Sequence, residues 1–355
     1  MTSDTALDWL KAPLAAPNEQ IRQAALQHQA QLTKPPGALG RLEGLAVHLA
    51  ALQHTLQPGA ERVQISIFAA DHGIAAENIS AFPQSVTCEM IRNFAAGGAA
   101  INVLARALGA QLEIINLGTV HSTDLLTGVK HYHLGAGTAN FMHTAAMSEG
   151  QLAAALNAGR ICAEQARANN MQLLIAGEMG IGNTTSATAL ACLLLHASPT
   201  QLAGAGSGLD SKGITHKISV IEQALALHHS HIHSPLEALR RVGGFEIAAL
   251  TGAYIRGAQL GLPLLIDGFI STVAALAAEQ IFAGSKNWFI YAHQSAEAGH
   301  AYVLKALNAI PLLDLAMRLG EGSGAAVAVN LLRLACALHN EMATFAAARV
   351  STKKQ

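Results

Sequence analysis

LLIAGEMGIGNTTSATALACLLL, residues 173–195, opens on four apolar residues, passes through a glycine-rich turn and closes on an alanine- and leucine-rich run. Leu173–Ala176 has the length of a buried strand, and Thr185–Leu195 the length and composition of a helix. The glycines of the turn let the backbone approach a phosphate, and the first N–H groups of the following helix have no internal partner. The same grammar recurs outward from this stretch. Val63–Ala70, Leu112–Leu117, Leu264–Asp267 and Trp288–Ala292 are short apolar runs, and Ser271–Phe282 is helix-like. Strands alternating with helices predict an α/β fold with a mostly parallel sheet and right-handed crossovers. The chain before Leu56 reads instead as helices, interrupted at Thr33–Gly37 by two prolines and a glycine.

Ligands of such sheets bind beyond the carboxyl ends of the strands. That rule selects Asp71-His72-Gly73, Gly177–Gly180, Asp267-Gly268 and His293. Two further glycine loops join the one after Leu173–Ala176. GAGSGLD (204–210) leads shortly to His216 and Lys217, and GEGSG (320–324) opens an alanine-rich helix. None matches GxxxxGK[ST], which disfavours a nucleoside triphosphatase. Three such loops together favour a phosphorylated ligand. Glu321 and Glu178, each beside glycine, read either as acids that reach a ligand or as first-turn acids complementing a helix dipole. At a helix N-terminus such an acid is expected to have a lowered pKa.

Composition bounds the partners. The 355 residues are 51% hydrophobic and only 13% charged, with a net charge of −1, which leaves no footprint for nucleic acid or an anionic membrane. Mean hydropathy is +0.31. The most apolar stretch, 247–277, is broken by Arg256, Pro263 and Asp267, so it reads as a buried strand–helix unit rather than a membrane span. The N-terminus lacks a signal peptide's apolar core. Cys88, Cys162, Cys192 and Cys336 lie far apart, as in a reduced cytoplasmic protein. No metal site is expected. The cluster His228-His229-Ser230-His231-Ile232-His233 has no regular ligand spacing and reads as an exposed loop.

Twelve blocks now carry a resemblance. They are LTKPPGALGRLE (32–43), ADHGI (70–74), SAFPQSVTCEM (80–90), NFAAGGAAINVLAR (93–106), GTANF (137–141), GEMGIGNTTSA (177–187), GAGSGLD (204–210), HK (216–217), VGGFEIAALTGA (242–253), IDGFIS (266–271), SAEAGH (295–300) and RLGEGSGAA (318–326). In this order, over about 300 residues, the chain resembles the nicotinate-nucleotide–dimethylbenzimidazole phosphoribosyltransferases. The resemblance implies a Rossmann-like domain over 61–329, a small helical domain from 1–60 with 330–355, and a homodimer with its active site near the subunit interface. It implies no cofactor. It casts Glu321 as the general base and Glu178 as a second active-site acid. Gly180, Gly182, Asn183, Gly206, Ser207, Gly208 and Lys217 would hold the nucleotide's phosphate, and Asp267 would order the site or the ribose. Ser80, Phe82 and Gln84 would form the base pocket.

The implied chemistry transfers the 5-phosphoribosyl group of nicotinate mononucleotide to 5,6-dimethylbenzimidazole, giving α-ribazole 5′-phosphate for cobalamin assembly. The pyridinium of the donor leaves without an acid, so one carboxylate suffices to take the proton of the attacking base. The chain departs from the family's SAYPQxVTxQM at Phe82 and Glu89, and has Ala298 where proline is usual. Phe82 keeps an aromatic face without a hydroxyl. The competing class is a non-catalytic sensor of an aromatic base or nucleotide, against which an intact GEGSG with its carboxylate argues.

Overall fold

The computed structural model describes residues 6–123 and 126–351. Six strands form one parallel sheet: β1 (Val63–Ala70), β2 (Gln111–Gly118), β3 (Val129–His131), β4 (Leu173–Met179), β5 (Leu264–Ile266) and β6 (Phe289–Tyr291). Their order is β3-β2-β1-β4-β5-β6. That is the doubly wound order, with its switch point between β1 and β4. The parallel sheet predicted from sequence is the one found. β3 was not predicted, because Val-Lys-His carries no apolar run and pairs only as an edge. β4 runs three residues beyond the predicted end at Ala176. Gly177 and Glu178 continue the ladder opposite Ile67 and Phe68 of β1.

Alternation along the strands feeds two cores, as a sheet covered on both faces requires. Phe68, Ile115, Leu174 and Ile266 face one side, under α5 (Glu149–Ala168), α6 (Asn183–Leu195), α9 (Phe245–Leu260) and α10 (Phe269–Ile281). Ile65, Ile67, Ile175 and Leu265 face the other, under α3 (Ser85–Ala96), α4 (Ala100–Leu108) and α12 (Ser323–Glu341). Between them in chain order lie α7 (Ser211–His228), α8 (Pro235–Val242) and α11 (His300–Ala306). The apolar stretch 247–277 is thus an interior helix, a central strand and a second interior helix. Among the described residues no helix is long and apolar enough to cross a membrane.

The first helices meet the last long one. α1 (Glu19–Gln31) and α2 (Arg41–Gln53) pack beside the far half of α12, with His28 Nε2 2.8 Å from the carbonyl of His339 and Thr33 N donating to that of Ala343 at 3.0 Å. α12 is one continuous helix through residue 330. Its first half lies on the sheet and its second half reaches α1 and α2. The segment after α1 is non-helical, and its Lys34 forms a buried ion pair with Glu43 at 2.8 Å. His228 is not in an exposed loop. It ends α7, is buried, and its Nε2 lies 2.8 Å from the carbonyl of Phe141.

Candidate active site

Beyond the carboxyl ends of β4, β5 and β6 lies a cavity of about 420 Å³. Glu178, Met179 and Gly180 come to it from β4, Asp267 and Gly268 from the end of β5, and His293 from beyond β6. Phe82, Val86 and Met90 close it from the segment after β1 and from α3, and Arg318–Glu321 from the loop before α12. The strand-end rule therefore located it from sequence, and this is where α6 and α12 present their N-termini.

Glu321 has the least ordinary conformation in the cavity. Its φ is +60°, and Gly320 and Gly322 on either side are also left-handed at +85° and +71°. This turn has a steric cause. A Cβ at Gly177 would stand 2.5 Å from Gly322 N, and one at Gly320 would overlap Glu178 Oε1, so the loop lies directly on the end of β4. The residue is 4% exposed, and its Oε2 has no hydrogen-bond partner. Burial, then the nearby charge of Asp267, push its pKa up to about 7. The lowered value expected from a helix N-terminus is therefore corrected. Desolvation outweighs the dipole because the side chain turns into the cavity rather than along the first turn.

Glu178 is buried as well, and the Nδ2 of Asn183 donates a short hydrogen bond to its Oε2. Burial and the charges of Glu246, Asp267 and Glu321 hold its pKa well above the carboxylate range. Its surroundings therefore favour the protonated form over the charged one. Asp267 accepts from Ala325 N at 2.7 Å, which ties the β5 end to the first turn of α12. Its Oδ1 is 3.6 Å from His293 Nε2, and burial raises its pKa while His293 opposes the rise.

The nucleotide loops divide. Gly180, Asn183, Gly206 and Ser207 line the cavity, whereas Gly182, Gly208 and Lys217 do not. Gly182 is the N-cap of α6 at φ +99°. Lys217 sits fully buried behind the wall, where its Nζ donates to Thr184 Oγ1 at 2.9 Å. Burial brings its pKa down to about 8, and Glu297 pulls the other way. It still carries its proton at neutral pH, so its charge reaches the cavity through Thr184 and Gly206. A Cβ at Gly206 would stand 2.8 Å from the Thr184 hydroxyl.

The base-side residues fare differently. Phe82 lines the cavity with half its surface exposed. Ser80 stands outside it, Oγ 2.9 Å from Ser207 Oγ, and so joins the base segment to the second glycine loop. Gln84 does not face the cavity. Its Nε2 donates to the carbonyl of His72 at 3.0 Å, a bond that fixes the turn after β1. Glu89 is exposed and away from the cavity. Asp71, His72 and Gly73, also selected by the strand-end rule, do not line the cavity. Asp71 Oδ2 accepts from Val120 N at 2.9 Å, while His72 turns to Ser186 and Glu246. Arg318, Leu319 and Glu297 line the cavity and were not selected from sequence, since nothing in their spacing sets them apart.

Similarity to known proteins is full-length. A family model described as "Phosphoribosyltransferase" matches residues 14–350. A nicotinate-nucleotide–dimethylbenzimidazole phosphoribosyltransferase of Xanthomonas axonopodis pv. citri is 59% identical over 344 residues, covering 97% of this chain and 99% of that one. The protein of the same name from Xanthomonas oryzae pv. oryzae is 58% identical with the same coverage. The crystal structure of CobT from Thermus thermophilus superposes with a TM-score of 0.90 at 42% identity, over 94% of this chain and 100% of that one. On fold, cavity and relatives alike, the chain belongs to the nicotinate-nucleotide–dimethylbenzimidazole phosphoribosyltransferase family.

Proposed function

We propose that this chain transfers the 5-phosphoribosyl group of nicotinate mononucleotide to 5,6-dimethylbenzimidazole, releasing nicotinate and α-ribazole 5′-phosphate. The observation that carries the reading is the carboxyl of Glu321, buried at the cavity wall, unpartnered at Oε2 and titrating at about 7. A carboxylate poised there is matched to take one proton at neutral pH. The bare nitrogen of the base attacks C1′, the C1′–nicotinate bond breaks, and the bonding pair neutralises the pyridinium nitrogen. The N–H on the far side of the imidazole ring loses its proton to Glu321. Attack opposite the leaving group converts a β-linked donor into an α-linked product.

Gly180, Asn183, Gly206 and Ser207 face the phosphoribosyl group, with the charge of Lys217 behind them. Gly182 and Gly208 shape the same loops from outside the cavity, and Asp267 orders the ribose end. The surroundings of Glu178 disfavour a second negative charge beside the base. Phe82 offers its ring for stacking, with Ser80 holding its segment. Of the base-pocket set, Gln84 is assigned to structure. The chemistry calls for no cofactor. Positioning two bound substrates contributes the larger share of the acceleration.

Phe82 and Leu319, each about half exposed, line the cavity and support a homodimer that covers it. Small-molecule substrates, rather than nucleic acid or membrane, fit the near-neutral chain, and four buried thiols fit a cytoplasmic location. Incubation with nicotinate mononucleotide and dimethylbenzimidazole, read by mass and by the anomeric proton coupling, tests the proposal. The α-linked product is expected. Well-folded protein that yields none refutes it.

A further inference from the structure

His72 and Glu246 have no exposed surface at all. The imidazole Nε2 is 2.6 Å from Glu246 Oε1, and Nδ1 is 3.0 Å from Ser186 Oγ. A carboxylate only accepts, so Nε2 carries a proton and donates it. Three family blocks meet here. His72 follows β1, Ser186 lies in the first turn of α6, and Glu246 lies in the first turn of α9. Removing one member would leave an unpaired polar group at depth, so the cluster holds its geometry tightly.

The ring is enclosed by glycine backbone. A Cβ at Gly180 would stand 3.2 Å from His72 Cδ2 and Nε2, one at Gly182 would stand 3.2 Å from its Cβ, and one at Gly244 would overlap Cε1. The loop Gly180–Gly182 thus rests on the imidazole. The His72 carbonyl, through Gln84, holds the turn that leads to Phe82. His72 itself lines no part of the cavity.

We propose that His72 is a positioning residue for the phosphoribosyl donor: clamped by Ser186 and Glu246, its ring is the floor that sets the Gly180–Gly182 loop at the height the donor's phosphate needs. The inference rests on the transfer reading for the identity of the donor. It makes His72 a determinant of donor affinity and leaves the chemical step to the cavity's own carboxyl.

The test uses the full chain with H72Q, which keeps a donor near the Nε2 position and loses the ring, and S186A, which removes one hydrogen bond. Steady-state kcat and KM are measured for both substrates, with calorimetric Kd for nicotinate mononucleotide alone. H72Q is expected to raise the donor's KM and Kd about tenfold, while kcat and the KM of dimethylbenzimidazole stay within about twofold. S186A is expected to move the donor's two constants about threefold in the same direction. Folded H72Q with unchanged donor KM and Kd, or with kcat lost at unchanged KM, overturns the proposal. If H72Q does not fold, S186A decides by the same split. If the wild-type protein binds the donor without turning it over, the transfer reading has failed, and the change in Kd still decides the role of His72.

Discussion

Glu321 holds a left-handed backbone conformation that costs a non-glycine residue about 1–2 kcal/mol. The protein accepts this cost where a carboxyl must turn away from helix α12 and into the cavity. Left-handed glycines on both sides make the turn possible, and burial with the Asp267 charge raises the acid to about 7. The sign of the pH dependence follows. A base works in its ionised form, so kcat/KM, which reports the ligand-free protein, should climb as pH rises through about 7 and level off above it. The residual rate of Glu321→Gln should lack that inflection. A wild-type rate that falls with pH over the same interval would mean that Glu321 acts protonated. The sequence singled out this residue, which lines the cavity, but pointed its pKa in the wrong direction. Depth of burial depends on the tertiary contact between Gly320 and Glu178, which no local pattern encodes.

At the scale of elements, helices α5 and α9 cross in close backbone contact. A Cβ at Gly159 would overlap the Ala249 carbonyl, and one at Gly252 would overlap that of Leu156. Gly159→Ala should lower stability by about 2–4 kcal/mol, read as a shifted denaturant midpoint at constant m. Gly150→Ala, in the open first turn of α5, should be neutral or slightly stabilising. Equal effects of the two would refute the crossing as the cause. Strand–helix alternation was legible because β1, β2 and β4 are mainly apolar stretches of seven or eight residues. β3 was hidden in three mixed residues whose pairing partner lies on another strand. Gln84 was misread for a related reason. Its motif places it beside Phe82, but its side chain turns to the His72 carbonyl, and only the folded turn reveals that direction.

At the scale of the whole molecule, the order 3-2-1-4-5-6 sets the crevice. β4, β5 and β6 bring Glu178, Asp267 and His293 to one side of it, and the returning chain end lays Glu321 across it. Residues more than 140 positions apart thus share one cavity, whose acids are buried enough for a single charge to have a large effect. Low overall charge is the complement of this arrangement, since the acids that remain inside act on one another. The account's central claim is that one of them, Glu321, takes the proton of the incoming base. Single-turnover transfer from nicotinate mononucleotide to dimethylbenzimidazole, compared between wild type and Glu321→Gln at pH 8, tests it most directly. The variant should bind both substrates with near-normal affinity and transfer about 10²–10⁴-fold more slowly. Transfer at the wild-type rate would contradict the claim and move the role of base to another group in the cavity.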